Sequence, residues 1–356
     1  MPVTQKDIAQ RLELSINTVS RALRNMPDVN ESTRKQVQAM AEEMGYYKNL
    51  AASSLRTRQS NILGVVVTDF RNPSMGDIIH GAELVAKRSG YTLMLGSTNE
   101  TAEDESRLVE NMLSQNVDGL LLIPSMLNEP LLRRIECEQV PYVLAARRYP
   151  GHLCNAVCGD DFAGGAAAAQ HLLDLGHRSF LYVSGLEHIS SARDRRDGFL
   201  WQLRQHGLNE HALQTIVCGD GPTDKLISQT IVCDGGRESA QRVTEQWLRS
   251  SSGHPSATAI FVFSDYAACG VYAALKAAGL RIPEDVSVVG YDNNEYSSLL
   301  TPPLTTVDSH FYQLGQLAME RLIAILHSPG EPPCAQIDMP ELVLRESTAA
   351  PSSAAN

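Results

Sequence analysis

The segment from Ser15 to Arg21, SINTVSR, carries side chains that can read the edges of DNA base pairs. The amide of Asn17 can pair with an adenine edge, the guanidinium of Arg21 can fork onto guanine, and Ile16 offers an apolar contact for a thymine methyl. Three hydroxyl groups can bond to phosphates, those of Ser15, Thr18 and Ser20. These residue types predict a major-groove recognition segment, with Asn25 as a further candidate contact just beyond it.

Two short helices are expected to position this segment. An apolar stripe predicts a first helix that starts near Gln5, with Thr4 as its N-cap. Ser15 can cap a second helix, whose outward side would carry the base-reading side chains. Its inward side is apolar: Val19, Ala22 and Leu23. The pair resembles a helix-turn-helix, and the open alternative is a two-helix hairpin of a helical bundle.

A third helix is predicted over 31–44, with Asn30 as N-cap and Gly45 as the residue that ends it. It would complete a three-helix headpiece. The segment 46–60 that follows is polar and basic and contains only two leucines, so it is poor core material.

Charge is distributed unevenly along the chain, whose net charge is −11. Residues 1–60 hold nine Lys or Arg against six Asp or Glu, whereas the remainder holds 21 against 35. A basic end suits a polyanion, while an acidic body disfavours non-specific adhesion to DNA. DNA contact is therefore expected at the N-terminal end only.

From Ile62 onward, apolar runs alternate with helical patterns, which predicts a parallel sheet covered by helices on both faces. The apolar runs are ILGVVV, YTLML, VDGLLLI, VPYVLA, NAVC, SFLYVSG, TAIFVF and DVSVVGYD. The helices between them are expected at 78–88, 103–115, 130–138, 163–175, 192–206 and 267–278. The repeated word QTIVC, at 214–218 and 229–233, indicates an enlarged surface loop or a duplicated edge strand.

Several words, in this order, resemble the lactose-repressor (LacI/GalR) family of bacterial transcription regulators. They are KDIA (6–9), NTVSRAL (17–23), VNESTRKQV (29–37), GYYKN (45–49) and SLRT (54–57), with further matches as far as 342–347. The resemblance implies a homodimeric regulator, a repressor of a carbohydrate or related catabolic pathway. Its partners would be double-stranded operator DNA and a small sugar-like effector that controls binding allosterically.

The resemblance also implies an α/β fold with a helix-turn-helix headpiece and two doubly wound parallel-sheet subdomains of periplasmic-binding-protein type. We expect a headpiece over 1–47, a hinge over 48–60 with a helix at about 49–57, an effector and dimerisation domain over 61–347, and a disordered tail over 348–356. The subdomains would be 61–160 with 291–323, and 161–290 with 324–347. Crossovers are expected near Asp160, Tyr291 and Ile323.

In the family, paired hinge helices enter the minor groove and a leucine wedges the central base step. Leu55 matches that leucine, and Asn49 and Ala52 lie on the same short helix as further candidate DNA contacts. The alternative is that Leu55 packs on the following domain. Lys48 stands where the family usually has proline.

In parallel α/β sheets, ligands bind at the carboxyl ends of the strands. The effector candidates are therefore Asp69, Asn72, Met75, Arg147, Asp160, Arg195, Asp265 and Asp292, and Asp161 follows the same strand as Asp160. By resemblance, Arg195 and Asp265 match the family's effector-contacting pair. The alternative is that they pair with each other. The family's N-P-F-F becomes Asn72, Pro73, Ser74 and Met75 here, which removes the expected aromatic rings.

The main alternative class is an α/β enzyme acting on a small polar substrate. The segment after the first strand is DFRNPSMGD rather than G-x-G-x-x-G, and neither a P-loop nor a G-x-S-x-G elbow occurs. His171 and His177 are expected at a helix end and a strand start rather than in catalysis. No catalytic residue and no cofactor is predicted.

The seven cysteines are scattered with no C-x-x-C pair, so neither a disulfide framework nor a metal site is predicted, and we expect these cysteines to be buried. The chain contains no apolar run of the length that spans a bilayer, and the N-terminus lacks a signal-peptide core. We therefore expect a cytoplasmic protein with no membrane partner.

Overall fold

The structure is a computed structural model that describes residues 3–47, 59–125, 128–149, 151–186, 188–208, 213–217, 236–250, 257–328 and 330–352. The chain divides into two compact units, residues 1–60 and 61–356. The hinge segment 48–58 and the second QTIVC word lie outside the described residues.

The first unit is a three-helix headpiece made of α1 (Gln5–Leu12), α2 (Ile16–Ala22) and α3 (Glu31–Glu43). Thr4 and Asp7 close a capping box on α1, and the hydroxyl of Ser15 accepts the amide of Thr18 at the start of α2. The helices bury one small apolar core, whose members are Ile8, Ala9, Val19, Ala22, Val29, Val37 and Ala41. The predicted helix-turn-helix arrangement and the predicted N-caps Thr4, Ser15 and Asn30 are confirmed.

The described residues of the second unit form two six-stranded sheets. The first has the order β11-β5-β4-β3-β1-β2 and all its neighbouring strands are parallel. Its strands are β1 (Ile62–Val67), β2 (Thr92–Ser97), β3 (Gly119–Leu122), β4 (Tyr142–Ala145), β5 (Ala156–Gly159) and β11 (Ala335–Asp338). Its helices are α4 (Pro73–Arg88), α5 (Ala102–Ser114), α6 (Glu129–Cys137) and α11 (Phe311–His327).

The second sheet has the order β12-β10-β9-β8-β6-β7, with only β12 antiparallel to its neighbour. Its strands are β6 (Phe180–Ser184), β7 (Leu213–Val217), β8 (Ala259–Val262), β9 (Ser287–Asp292), β10 (Thr305–Asp308) and β12 (Glu341–Val343). Its helices are α7 (Asp161–Asp174), α8 (Ser190–Gln205), α9 (Arg237–Ser250) and α10 (Asp265–Ala277), with a 3₁₀ turn at Glu295–Ser298.

Both sheets are covered on two faces, so the α/β architecture predicted from the alternating pattern is confirmed. Neighbouring residues of one strand serve opposite cores, since Val65 packs on the side of α4 and α11 while Val66 packs on the side of α5 and α6. Burial on both sides explains why these strands are continuous apolar runs rather than alternating ones.

Helices α4 and α11 pack backbone to backbone at two glycines. A Cβ atom added to Gly81 would lie 2.0 Å from the carbonyl oxygen of Tyr312, and one added to Gly315 would lie 2.1 Å from that of Ile78. Only glycine allows this approach, and the contact fixes α11 to the first sheet.

Two of the three predicted crossovers are wrong. The crossover near Asp160 falls between β5 and α7, as expected. Tyr291, however, lies inside β9 of the second sheet, and Ile323 lies inside α11 of the first. The chain instead crosses between β10 and α11, at 309–310, and between β11 and β12, at 339–340. Because a strand and a helix each stay with the sheet on which they pack, the first subdomain takes 309–338 and the second keeps 291–308.

The beginning of the predicted disordered tail is fixed in place. The amide of Ala349 donates to the hydroxyl of Ser287 at 3.0 Å, and its carbonyl lies 2.8 Å from Nε2 of His177. His171 contacts the hydroxyl of Thr348 at 3.0 Å. Polar side chains of the second subdomain therefore hold a segment that lacks any apolar pattern. The remainder of the predicted tail, 353–356, lies outside the described residues.

Two smaller expectations also change. Helix α4 begins at Pro73 rather than Ile78, because Asn72 caps it and proline is favoured at the first helical position. Cys137 and Cys334 are exposed rather than buried, since one ends α6 and the other precedes the edge strand β11. Among the helices of the described ranges, none has the length and apolar character needed to cross a membrane.

Candidate DNA-recognition face and effector cleft

Helix α2 presents two of the predicted base-reading side chains directly to solvent. Ile16 is 51% exposed and Asn17 is also exposed, while Val19 and Ala22 turn into the headpiece core. Ile16 and Asn17 therefore share one exposed face of α2, as the predicted contacts with base edges require.

The other predicted side chains of this face have intramolecular partners. Nη2 of Arg21 forms an ion pair with Asp28, and Arg24 donates to both the carbonyl and the hydroxyl of Ser20, at 3.0 and 3.2 Å. Ser20 and Arg21 are therefore half-buried rather than fully outward. Asn25 has a left-handed backbone, with φ of 54°, and accepts a hydrogen bond from Gln38 at 2.8 Å.

Ser15 and Thr18 bond to each other, with their hydroxyl oxygens 2.8 Å apart. If these hydroxyls contact phosphates, they do so while they are also bonded to each other at the N-cap of α2. The hinge candidates Asn49, Ala52 and Leu55 lie outside the described residues.

A cleft of about 340 Å³ lies between the two subdomains of the second unit. Three of the predicted effector residues line it from the first subdomain, namely Asp69, Asn72 and Arg147. The second subdomain contributes the turn after β6 and the starts of α9 and α10, including Ile189, Arg237, Phe263 and Tyr266. A volume in this range fits a small-molecule site.

Each of these first-subdomain residues is held by a neighbour. Arg147 makes a two-pronged ion pair with Glu100, both nitrogen–oxygen distances being 2.8 Å, and also donates to the carbonyl of Pro124. Asp69 is paired with Arg71, and Asn72 caps α4. The pairs pre-orient the polar wall of the cleft before any ligand arrives.

A deeper recess of about 50 Å³ adjoins the cleft, and the predicted residues Met75, Arg195 and Asp292 line it. Arg195 is 6% exposed and donates to Asp161 at 2.7 Å, to Asp292 at 3.2 Å and to the carbonyl of Phe263 at 2.5 Å. Its guanidinium also lies 3.6 Å over the ring of Tyr291. Burial alone would lower the pKa of Arg195, but Asp161 and Asp292 together hold it well above its ordinary value.

Asp292 links the two subdomains. The hydroxyl of Ser74, at the start of α4, donates to its second oxygen at 3.2 Å, and Ser74 also contacts Asn294 at 3.3 Å. The backbone of Asp292 has φ of 109°, a region that non-glycine residues rarely occupy. Burial raises the pKa of Asp292 to about 8, against the opposing effect of Arg195.

The expectation that Arg195 and Asp265 form one clamp is wrong, and so is the alternative that they pair with each other. Asp265 is fully buried behind β9, where it accepts from Ser297 at 2.5 Å, Thr306 at 2.6 Å and the amide of Asn294 at 3.1 Å. Burial raises its pKa to about 6. Arg195 instead pairs with Asp161, at the start of α7, and with Asp292, at the end of β9.

Asp160 is the other predicted effector residue that lies elsewhere. It caps α7 through the amide of Ala163, at 2.9 Å, and lines a separate groove beside β5 and β11. Sequence reasoning in turn missed Glu100, Ser74 and Tyr266. Glu100 follows β2 at the same sheet edge as Asp69, and that position is the signal that could have identified it.

The described residues contain no group of three or more His, Cys, Asp or Glu side chains arranged to hold a metal ion.

Comparison with known proteins gives two family matches. Residues 4–49 match the bacterial regulatory proteins of the lacI family, and residues 169–348 match a periplasmic binding protein-like domain. The chain is 30% identical to catabolite control protein A of Priestia megaterium over 323 residues, which span 90% of this chain and 92% of that protein. It is 29% identical to the ribose operon repressor of Escherichia coli K12 over 329 residues, which span 92% and 94% of the two chains.

Among solved structures, the Lac repressor dimer bound to operator and the anti-inducer ONPF has a TM-score of 0.83 and 27% identity, covering 98% of this chain and 100% of that one. The likeness therefore includes the headpiece as well as both sheets.

Proposed function

The chain belongs to the lacI family of bacterial regulatory proteins, and from that premise we propose that it is a homodimeric, cytoplasmic repressor whose operator binding is controlled by an uncharged polyhydroxylated effector. It is a sequence-specific, DNA-binding transcription regulator. Its similar proteins are named as regulators rather than enzymes, and we assign it no catalytic role.

Operator reading is assigned to Ile16, Asn17 and Arg21. The exposure of Ile16 and Asn17 on α2 supports this assignment, and the guanidinium of Arg21 lies on the same helix one turn further on. Losing one good bidentate base contact costs roughly 1–3 kcal/mol and relaxes one position of the site. In a binding selection, Asn17→Ala and Arg21→Ala should therefore each remove the base preference at a different position of the operator.

The operator should be a near-palindrome of two half-sites, because each chain carries one headpiece and a two-fold protein reads a two-fold site. Sedimentation with DNA of one and of two half-sites tests this. Full affinity of a monomer for a single half-site would contradict it.

The observation that carries the effector proposal is the cleft between the subdomains. Its walls include side chains that can donate or accept hydrogen bonds, such as Asn72, Arg147 and Glu100, and the aromatic rings of Phe263 and Tyr266. Adjacent sugar hydroxyls both donate and accept, and so match such a wall. Arg147 and Arg195 are each neutralised by carboxylates, which favours an uncharged sugar over a sugar acid.

Control of DNA binding would follow from the position of the cleft. A ligand that contacts both walls binds one relative orientation of the subdomains better than others, and such differential affinity shifts the population. The contact of Ser74 with Asp292 crosses between the subdomains at the back of the cleft, so it would report that shift.

Calorimetric screening of sugars and sugar acids tests the proposal. A hit should bind Arg147→Met at least tenfold more weakly than wild type, because the variant removes the polar pair with Glu100 from the cleft wall. Arg133→Met, which breaks an exposed ion pair with Glu129 within α6 and away from the cleft, is the matched control and should bind normally. Equal binding by wild type and Arg147→Met would refute the assignment of the site.

A further inference from the structure

Asp28 is an acidic residue on the face of the headpiece that is proposed to meet DNA. It lies in the loop between α2 and α3, and its carboxylate Oδ2 pairs with Nη2 of Arg21. Both side chains are partly exposed, at 49% and 39%. No other partner of the Arg21 guanidinium lies within the described ranges of the chain.

The loop that carries Asp28 is held by α3. Arg34 donates to the carbonyl of Met26 at 2.9 Å and to that of Val29 at 3.0 Å, on either side of Asp28. Gln38, one turn further along α3, donates to Asn25 at 2.8 Å. Val29 is buried in the headpiece core. The position of the Asp28 carboxylate is therefore set by the third helix and not by a free loop.

A carboxylate beside phosphates opposes DNA binding in general, because it adds repulsion and cancels one cation of the basic headpiece. The same carboxylate can favour discrimination, since reading guanine requires the planar guanidinium to present two parallel donors in a fixed plane. An unpaired arginine has many rotamers and can turn to a phosphate instead, where it contributes affinity without sequence information.

We propose that Asp28 is a positioning residue for operator reading: it holds the guanidinium of Arg21 toward the base edge, and so exchanges general DNA affinity for preference at one base pair. The inference rests on the proposed base-reading role of Arg21 and names the residue that makes that role specific.

The test is a binding selection with the full-length protein, run in parallel with affinity measurements on random-sequence duplex at fixed salt. Asp28→Asn should lower the preference at the base pair read by Arg21 by about fivefold or more, within the roughly tenfold to hundredfold discrimination of a bidentate contact. All other positions should keep their preferences. Affinity for random duplex should rise, because a negative charge is removed and Arg21 is released to phosphates.

Glu43→Gln is the matched control, since it removes the same charge from an exposed position near the end of α3. It should leave the base preference at every position unchanged. A structural role for Asp28 predicts a different result from ours, because a destabilised headpiece would lose affinity for operator and for random duplex together.

Arg21→Ala distinguishes the base-reading role of Arg21 from the positioning role of Asp28. If Arg21→Ala flattens one base position and Asp28→Asn leaves that position unchanged, Arg21 reads the base without help and the positioning role is wrong. If Arg21→Ala changes no position, the base-reading assignment itself fails and the positioning role falls with it. In the double variant, Asp28→Asn should add no further loss of base preference to that of Arg21→Ala.

Discussion

Replacing Arg195 by methionine should destabilise the second subdomain by roughly 3–5 kcal/mol at pH 7, because it leaves buried carboxylates without their cation. Arg195 is the only basic side chain within the described residues that donates to Asp161 or Asp292. Burial already raises the pKa of Asp161 and that of Asp292, and Arg195 is the cation that opposes this effect at both carboxyls.

The structure also limits the loss of stability in this variant. Without Arg195, Asp161 can escape the unpaired charge by binding a proton. Protonating a carboxyl of ordinary pKa 3.8 at pH 7 costs about 4 kcal/mol, at about 1.4 kcal/mol per pH unit. The folded variant then binds a proton that the unfolded chain has lost, so the stability of the variant falls as pH rises above the ordinary pKa of this carboxyl. The difference from wild type should therefore shrink by up to about 1.4 kcal/mol per unit as pH is lowered from 7 to 4.

Urea unfolding followed by tryptophan fluorescence measures this, because Trp201 on α8 and Trp247 on α9 are the two tryptophans of the chain and both belong to the second subdomain. Arg148→Met is the control, since its half-exposed ion pair with Asp194 should contribute less than about 1 kcal/mol. A loss in Arg195→Met no larger than in this control, or a difference that does not change with pH, would refute the reasoning.

Three further outcomes are expected in the same unfolding assay, with far-UV circular dichroism for the first subdomain. Gly81→Ala should be destabilising by more than about 2 kcal/mol, because the new Cβ atom would meet a backbone carbonyl of α11. A Cβ atom added at Gly76, on the same helix, would have no neighbour within 4 Å, so Gly76→Ala should be stabilising by roughly 0.5–1 kcal/mol. Burial raises the pKa of Glu105 to about 6 from 4.5, so wild type should lose about 2 kcal/mol relative to Glu105→Gln as pH rises from 4 to 7, and a constant difference would contradict this. Ser287→Ala should cost roughly 1 kcal/mol because the partly buried amide of Ala349 loses its acceptor, and an unchanged stability would mean that the C-terminal segment is not held by this contact.

The regular elements could be predicted well where their signals are local. The caps at Thr4, Ser15 and Asn30 and the apolar runs of β1 to β6 depend on residues within one helical turn or one strand. Helices α9 and α11 and strands β10, β11 and β12 are not predicted, and the short strands have little apolar pattern of their own. Their place depends on which sheet offers them a partner.

The candidate site divides in the same way. The principle that ligands bind at the carboxyl ends of parallel strands was sufficient to select Asp69, Asn72 and Arg147, which line the cleft. It could not distinguish Asp265 from Asp292, because both follow or end an apolar strand of the second sheet. Only the packing of α10 behind β9 turns one carboxylate into the protein and the other into the recess.

The sequence by itself determined the family, the helix-turn-helix with its outward Ile16 and Asn17, and the α/β class, because long matching words and local periodicity are properties of contiguous residues. The tertiary structure decided that 291–308 belong to the second subdomain and 309–338 to the first. It also decided that Ser287 and His177 fix the start of the C-terminal tail, and that Arg195 pairs with Asp161 and Asp292. Each of these depends on contacts between residues far apart in the chain, whose partners are chosen by burial and by the need of every buried charge for an opposite one.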